Sequence, residues 1–140
     1  MKRSSLVVDD DARILASLSR ALAREVDEVR TADSAGEALR ALAESPAAIA
    51  LVDLKMPGMD GLELLALLRE RTPDLDVIMM TAYDDLPTVA AAMHGGAVDF
   101  LTKPHALHCL NRLLERVIED QVSRAAASYQ RAPGGKEETL

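Results

Sequence analysis

Four short apolar runs divide the chain, and none of them shows a regular alternation with polar residues. They occupy residues 6–8, 48–52, 77–80 and 98–101. Runs of this length are typical of buried strands that helices cover on both faces. The segment 26–30 is a weaker strand candidate. The pattern therefore predicts five strands, with the run that ends at Val52 in the middle of the sheet.

Between the strands, apolar residues recur at helical spacing, which predicts amphipathic helices. The helices are expected over about residues 11–24, 34–44, 60–71 and 85–94, with a last helix from after Pro104 to about 126. Asp11 is the expected N-cap of the first helix, and Ser34 with Glu37 has the form of a capping box. Gly95-Gly96 supplies a left-handed residue at the end of the fourth helix.

Five strand-helix units in alternation predict an α/β fold, a doubly wound five-stranded parallel sheet. We expect the flavodoxin-like strand order 2-1-3-4-5, with an extended last helix. Residues 1–118 are expected to form the globular domain, 119–132 a helical extension or linker, and 133–140 a flexible tail.

Composition and charge limit the partners of the protein. The 140-residue chain has a net charge of −7 and one cysteine, Cys109. The acidic balance argues against direct binding to nucleic acid, which depends on basic side chains. A lone cysteine forms no internal disulfide and fits a reducing compartment. No window approaches the roughly 18 apolar residues of a membrane span. We therefore expect a cytoplasmic protein with no membrane contact.

Polar residues follow the predicted strands at one edge of the sheet. Asp9 and Asp10 follow the first strand, and Asp53, Thr81 and Lys103 follow the third, fourth and fifth. Ligands of such sheets bind outside the carboxyl ends of the strands, where the strand order reverses. Neighbouring carboxylates repel one another unless a hard cation neutralises them, and Mg²⁺ is the natural candidate. Asp53 is the best nucleophile toward a phosphoryl group, whose oxygens Lys103 and Thr81 would contact.

Four motifs carry a resemblance to a known family. They are Leu6-Val7-Val8-Asp9-Asp10-Asp11, Val52-Asp53-Leu54-Lys55-Met56-Pro57-Gly58-Met59-Asp60-Gly61, Met80-Thr81-Ala82 and Phe100-Leu101-Thr102-Lys103-Pro104. In this order and spacing they resemble the receiver domain of two-component response regulators, over about residues 2–118. The resemblance implies that Asp53 accepts a phosphoryl group from a phosphohistidine on a sensor histidine kinase. It also implies that Asp10, Asp53 and the Lys55 backbone carbonyl ligate Mg²⁺. Asp9 then acts through water.

The same resemblance implies a conformational switch. Thr81 moves toward the phosphoryl group and Phe100 follows, which remodels the face made by the fourth helix, the fifth strand and the fifth helix. The long last helix resembles that of enhancer-binding, NtrC-like transcription activators. It implies a homodimer through that face or through the last helix, with a transcriptional output. Tyr83 and the Lys55 side chain are expected at the entrance of the site. The chain would catalyse only its own phosphorylation and dephosphorylation.

Other functions remain open on the sequence. A haloacid-dehalogenase-like phosphatase would use Asp9 and Asp11, but it needs a further acidic pair at a strand end, and Glu119-Asp120 lies in a predicted helix. A flavin-binding domain of the same topology needs a phosphate-binding loop after the first strand, which this sequence lacks. A stand-alone receiver that acts by protein contact is a further alternative.

Overall fold

The computed structural model describes residues 3–81, 86–102 and 106–130, which alternate five strands with five helices. In chain order these are β1 (Ser4–Val8), α1 (Ala12–Leu22), β2 (Glu28–Ala32), α2 (Ala35–Glu44), β3 (Ile49–Asp53), α3 (Gly61–Arg71), β4 (Asp76–Thr81), α4 (Leu86–His94), β5 (Asp99–Thr102) and α5 (Ala106–Gln130). The strands form one parallel sheet in the order β2-β1-β3-β4-β5. The predicted fold class and strand order are confirmed.

The sheet separates two apolar clusters, because consecutive residues of a strand face opposite sides. In β3, Ala50 and Val52 belong to the first cluster, whereas Ile49 and Leu51 belong to the second. The first cluster packs α2, α3 and part of α4 against the sheet, and the second packs α1 and α5 against its other face. Both faces are covered, which explains why the strand runs are apolar along their length.

Strand β2 begins two residues later than the sequence pattern predicts. The prediction covers residues 26–30, whereas the structure has the strand at Glu28–Ala32. Val26 is buried and its N–H donates to the Leu22 carbonyl at 3.0 Å, so Val26 still belongs to the turn after α1. Pairing with β1 begins opposite Ser4 and sets the bounds of the strand.

Side-chain caps begin helices α1, α2 and α3, although one predicted cap is incomplete. Ser34 accepts the Glu37 N–H at 3.1 Å, but the Glu37 carboxylate accepts the N–H of Asp33 rather than that of Ser34. Half of the predicted capping box is therefore present. The complete box lies at the start of α3, where Asp60 and Glu63 each accept the backbone N–H of the other.

The second half of the chain follows the prediction with small shifts. The predicted start of α4 at residue 85 lies outside the described residues, and Gly96, with a φ of 109°, supplies the left-handed residue after this helix. Strand β5 covers Asp99–Thr102, so both of its ends lie one residue later than those of the predicted 98–101 run. Helix α5 has 25 residues and continues past 126, which confirms the extension. The segment 133–140 lies outside the described residues.

Candidate functional site

Two aspartates lie side by side because β1 and β3 are neighbours in the sheet. Val8 pairs with Val52, and the next residue along each chain segment is an aspartate, Asp9 and Asp53 respectively. Both are buried, with 0% and 6% of their surface exposed. They lie at the carboxyl edge of the sheet, at the point where the strand order reverses, as predicted.

Asp10 completes a cluster of three carboxyl groups. One carboxylate oxygen from each of Asp9, Asp10 and Asp53 lies within 4.8 Å of the other two. Asp10 is exposed, so the cluster is accessible to solvent from its side. Two unit charges at this separation repel by about 3.5 kcal/mol at an effective dielectric constant of about 20. Three carboxylate ligands suit a hard divalent cation such as Mg²⁺, which would remove this repulsion.

Backbone donors orient the two buried carboxylates of the cluster. The Asp11 N–H donates to Asp9 Oδ1 at 2.9 Å, and the Lys55 N–H donates to Asp53 Oδ1 at 3.4 Å. In both cases the donor follows the aspartate by two residues, as in a turn that an aspartate side chain closes. The loop after each strand therefore directs the carboxyl group of that strand. The side chain of Lys55 is exposed, and its role at the site entrance stays a prediction.

Asp11 serves helix α1 and is not a member of the carboxylate cluster. Its carboxylate accepts the Arg13 N–H at 2.9 Å, which confirms it as the N-cap. This backbone hydrogen bond lowers the pKa of Asp11, and the nearby Arg13 guanidinium contributes in the same direction. The carboxylate of Asp11, which a phosphatase of the alternative class would use together with that of Asp9, is therefore engaged in capping α1.

Thr81 ends β4 next to the end of β3. Asp53 pairs with Met80 in the sheet, and the Leu54 N–H donates to the Met80 carbonyl at 2.8 Å. Thr81 is 4% exposed and lines a cavity of about 590 Å³. Such a volume lies within the range of roughly 300–1,000 Å³ that is typical of small-molecule sites. The described lining residues are Leu54, Lys55, Met56, Pro57, Asp60, Leu62, Thr81 and Thr88.

Gly61 determines how closely helix α3 approaches the end of β3. Its N–H donates to the Leu54 carbonyl at 2.9 Å. A Cβ atom at this position would lie 2.4 Å from the Asp53 carbonyl oxygen and 2.7 Å from the Leu54 Cα. Only glycine therefore fits without moving the backbone that carries Asp53. The sequence motif that contains Gly61 does not reveal this role. The feature that could have indicated it is a glycine at the first position of a helix, because most other residues form helices more readily than glycine.

The remaining predicted site residues fall into two groups. Phe100 lies in β5, where it is half-buried and packs against the cluster that includes part of α4. Tyr83 and Lys103 lie outside the described residues, so their roles stay predictions. The last residue of β5, Thr102, pairs with Thr81. The described chain thus reaches the edge of the site one residue before the predicted lysine.

Comparison with known families decides between the alternatives. The sequence profile of the response regulator receiver domain matches residues 5–117, a span that includes the three clustered aspartates. The chain belongs to the response regulator receiver domain family. The resemblance carried by the four sequence motifs is confirmed.

The relatives of this receiver domain carry the names of transcriptional or response regulators. It is 44% identical over 112 residues to the DNA-binding transcriptional regulator NtrC of Escherichia coli strain K12, a match that covers 80% of this chain and 24% of that protein. It is 40% identical over 116 residues to the response regulator protein FleR of Pseudomonas aeruginosa, covering 83% of this chain and 24% of FleR. The receiver domain thus spans about a quarter of the length of these relatives.

Solved structures show the same fold. A CheY-like response regulator receiver domain protein from Methanospirillum hungatei JF-1 has a TM-score of 0.82 at 31% identity, covering 89% of this chain and 99% of that one. NtrX from Brucella abortus has a TM-score of 0.88 at 31% identity, covering 100% of this chain and 32% of that one. An NtrC-like receiver domain is therefore supported. No described helix, including α5, combines the length and apolar composition that crossing a bilayer requires.

Proposed function

We propose that Asp53 is the phosphoacceptor of this receiver domain and that a phosphohistidine on a sensor histidine kinase is its donor. The observation that supports this proposal is the convergence of the Asp9, Asp10 and Asp53 carboxyl groups at one edge of the sheet. A carboxylate oxygen of Asp53 bonds to phosphorus as the bond between phosphorus and the histidine nitrogen breaks. Such a transfer depends mainly on positioning and charge neutralisation. The domain catalyses only its own phosphorylation and dephosphorylation.

The carboxylate cluster fits Mg²⁺ by the chemistry of its oxygens. Asp10, Asp53 and the Lys55 backbone carbonyl would hold the ion directly, and Asp9 would hold it through water. When bound, the metal offsets the negative charge of the carboxylates and of the incoming phosphoryl oxygens. The Asp11 N–H that the buried Asp9 carboxylate accepts holds this carboxylate in a fixed orientation at the site.

The switch couples this site to the face made by α4, β5 and α5. Thr81 and Lys103 receive the phosphoryl oxygens, and the movement of Thr81 makes room for Phe100 on the neighbouring strand. Phe100 also lines a second cavity of about 240 Å³ between β5 and α5, next to the ion pair between Arg116 and Asp99. A displacement of Phe100 therefore changes a surface that another protein can contact.

We infer that the output is homodimerisation that controls transcription. Val122 is 56% exposed on the part of α5 that follows the core contacts, which offers a second copy an apolar contact. The dimer forms through the α4, β5 and α5 face or through the extended last helix. Because the chain has a net charge of −7, we expect another part of a regulator to contact DNA. A cytoplasmic location belongs to the same proposal. A stand-alone receiver is the alternative, and a chain that stays monomeric in both phosphorylation states would favour it.

Intact-mass spectrometry after incubation with acetyl phosphate and Mg²⁺ tests the phosphoacceptor. The wild type should gain one phosphoryl group, and Asp53→Asn should gain none, because an amide is not a nucleophile toward phosphorus. Asp60→Asn is the matched control, since this exposed carboxylate lines the neighbouring cavity and asparagine also caps a helix. Removal of the metal with EDTA should abolish the gain in both reactive proteins.

Two outcomes would contradict the proposal: no phosphoryl gain in the wild type, or an equal gain in wild type and Asp53→Asn. Hydrolysis of a generic phosphate ester by the chain would instead support the alternative function, a phosphatase. The positions of the required acids disfavour that alternative, because Asp11 caps α1 and Asp120 is exposed on α5 and pairs with Arg124.

A further inference from the structure

A buried carboxylate lies at the end of β4 opposite Thr81. Asp76 is 3% exposed, although it begins a strand at the amino-terminal edge of the sheet. Its Oδ2 atom accepts a hydrogen bond from Gln121 Nε2 at 2.7 Å and another from Arg124 Nη2 at 2.6 Å. Both donors belong to the part of α5 that extends past residue 118. The sequence pattern assigns this part to a helical extension or linker and does not single out Asp76.

Further hydrogen bonds attach the same turn of α5 to the sheet. Gln121 Nε2 also donates to the Ala48 carbonyl at 2.9 Å, just before β3. The Gln121 Oε1 atom accepts from Arg3 Nε at 3.3 Å, just before β1. The helix extension therefore contacts the starts of three adjacent strands. We call Asp76, Gln121 and Arg124 the Asp76 latch.

The latch continues the buried side of the helix. Leu110, Leu114 and Val117 are buried against the sheet, and Gln121 and Arg124 follow at the same alternating steps of four and three residues. Residues at this spacing lie on one side of a helix. The core-facing side of α5 thus changes from apolar to polar where it reaches a buried carboxylate.

The chemistry of Asp76 requires these partners. A carboxylate removed from water is costly unless it is paired and hydrogen-bonded. Arg124 supplies the opposite charge, and its side chain is half exposed, with 53% of its surface accessible. The hydrogen bond to Asp76 raises the pKa of Arg124. The pair is therefore satisfied only while the extension lies on the sheet.

We propose that the Asp76 latch makes residues 119–128 a fixed part of the receiver domain and sets one direction in which α5 leaves the sheet. The extension is then a folded element whose orientation follows the sheet, and the folded unit ends later than the predicted boundary at 118. This proposal does not depend on phosphorylation of Asp53. It assigns Asp76 and Arg124 the role of positioning residues.

Hydrogen exchange measured by mass spectrometry on the unphosphorylated chain tests the latch. In the wild type, the amides of residues 121–127 should be protected, because exchange requires the extension to detach or unwind. Arg124→Gln and Asp76→Asn should each raise exchange there by about tenfold, the scale of one hydrogen bond to a charged group. Residues 110–117 should keep their wild-type protection. Arg124 is half exposed, so its replacement leaves the core intact.

Asp120→Asn is the matched control, because Arg124 also pairs with Asp120 one turn earlier on the same helix, at 3.1 Å. This variant removes the pair within the helix and keeps the latch, so its exchange should stay within about twofold of the wild type. Equal exchange in Arg124→Gln and wild type would overturn the latch. Equal acceleration in Asp120→Asn and Arg124→Gln would also overturn it, as would protection that disappears on dilution, because a second copy would then be the protecting partner.

Discussion

Replacing Gly61 with alanine puts a methyl group where the end of β3 already lies. The added Cβ would be 2.4 Å from the Asp53 carbonyl oxygen and 2.7 Å from the Leu54 Cα. These neighbours are backbone atoms, so no side-chain rotation relieves the contact. Either the first turn of α3 or the strand end that carries Asp53 must move. We expect Gly61→Ala to lower both the stability of the domain and the rate of phosphorylation of Asp53.

The size of the stability loss follows from two opposing effects. Overpacking of this kind costs about 1–3 kcal/mol, whereas replacing glycine by alanine within a helix recovers up to about 1 kcal/mol. We expect a net decrease of about 1–2 kcal/mol in the free energy of unfolding. For a chain of 140 residues, the entropy of unfolding is about 0.3 kcal/mol per kelvin. The melting temperature should therefore fall by about 3–7 °C.

Calorimetric melting of Gly61→Ala and Gly36→Ala measures the effect against a matched control. A Cβ on Gly36, in the first turn of α2, would meet Arg40 Nη1 at 3.7 Å, an ordinary contact. Gly36→Ala should raise the melting temperature by about 1–3 °C, because alanine is the better helix former. The rate of phosphoryl gain from acetyl phosphate should fall only in Gly61→Ala. A Gly61→Ala protein that melts at or above the wild-type temperature would refute the packing argument.

Two further predictions concern stability away from the carboxylate cluster. The Arg13 N–H lowers the pKa of Asp11, so ionised Asp11 stabilises the fold above the usual carboxyl value of about 3.9 and loses this effect as the pH falls through the lower folded-state pKa. Asp11→Asn keeps a capping side chain, and urea denaturation from about pH 6 to about pH 2 should show a weaker loss of stability in acid than in wild type; identical pH profiles would contradict this. The Arg30 guanidinium donates to the Ala41 and Ser45 carbonyls at 2.8 and 2.6 Å, where α2 ends. Arg30→Gln should lower the free energy of unfolding by about 1–3 kcal/mol in urea and leave phosphoryl gain unchanged, whereas unchanged stability would count against this role.

The central strands and the carboxylate cluster could be predicted from the sequence because one physical cause shapes both. A strand that is buried on both faces must be apolar along its length, so the polar residue that ends the run marks the edge of the sheet. Asp9 and Asp53 were predictable for this reason. Asp10 joins them because it follows Asp9 directly. Lys103 and Tyr83 stay predictions, since they lie outside the described residues.

Other features depend on contacts between distant segments, which a local pattern does not contain. The bounds of β2 follow from its pairing with β1, because an edge strand is only partly buried and its residues are mixed in polarity. Asp76 stands just before an apolar run and not within one, so the sequence pattern around it does not indicate that its carboxylate is buried. Gln121 and Arg124 resemble solvent-facing residues of a polar helix. One feature of the sequence does mark Gln121 and Arg124. They occupy the positions at which the next buried apolar residues of α5 would be expected from its helical spacing.

The Asp76 latch also bears on how receiver domains can be exchanged between proteins. The family profile ends at residue 117, which makes that position a natural junction for a chimera with a different C-terminal helix. Such a graft would remove Gln121 and Arg124 and leave Asp76 buried without either donor. Leaving a buried carboxylate without its hydrogen-bond donors costs about 1–3 kcal/mol, a large part of the stability of a small domain. A chimera should therefore keep the native helix through Arg124, or carry an apolar residue in place of Asp76.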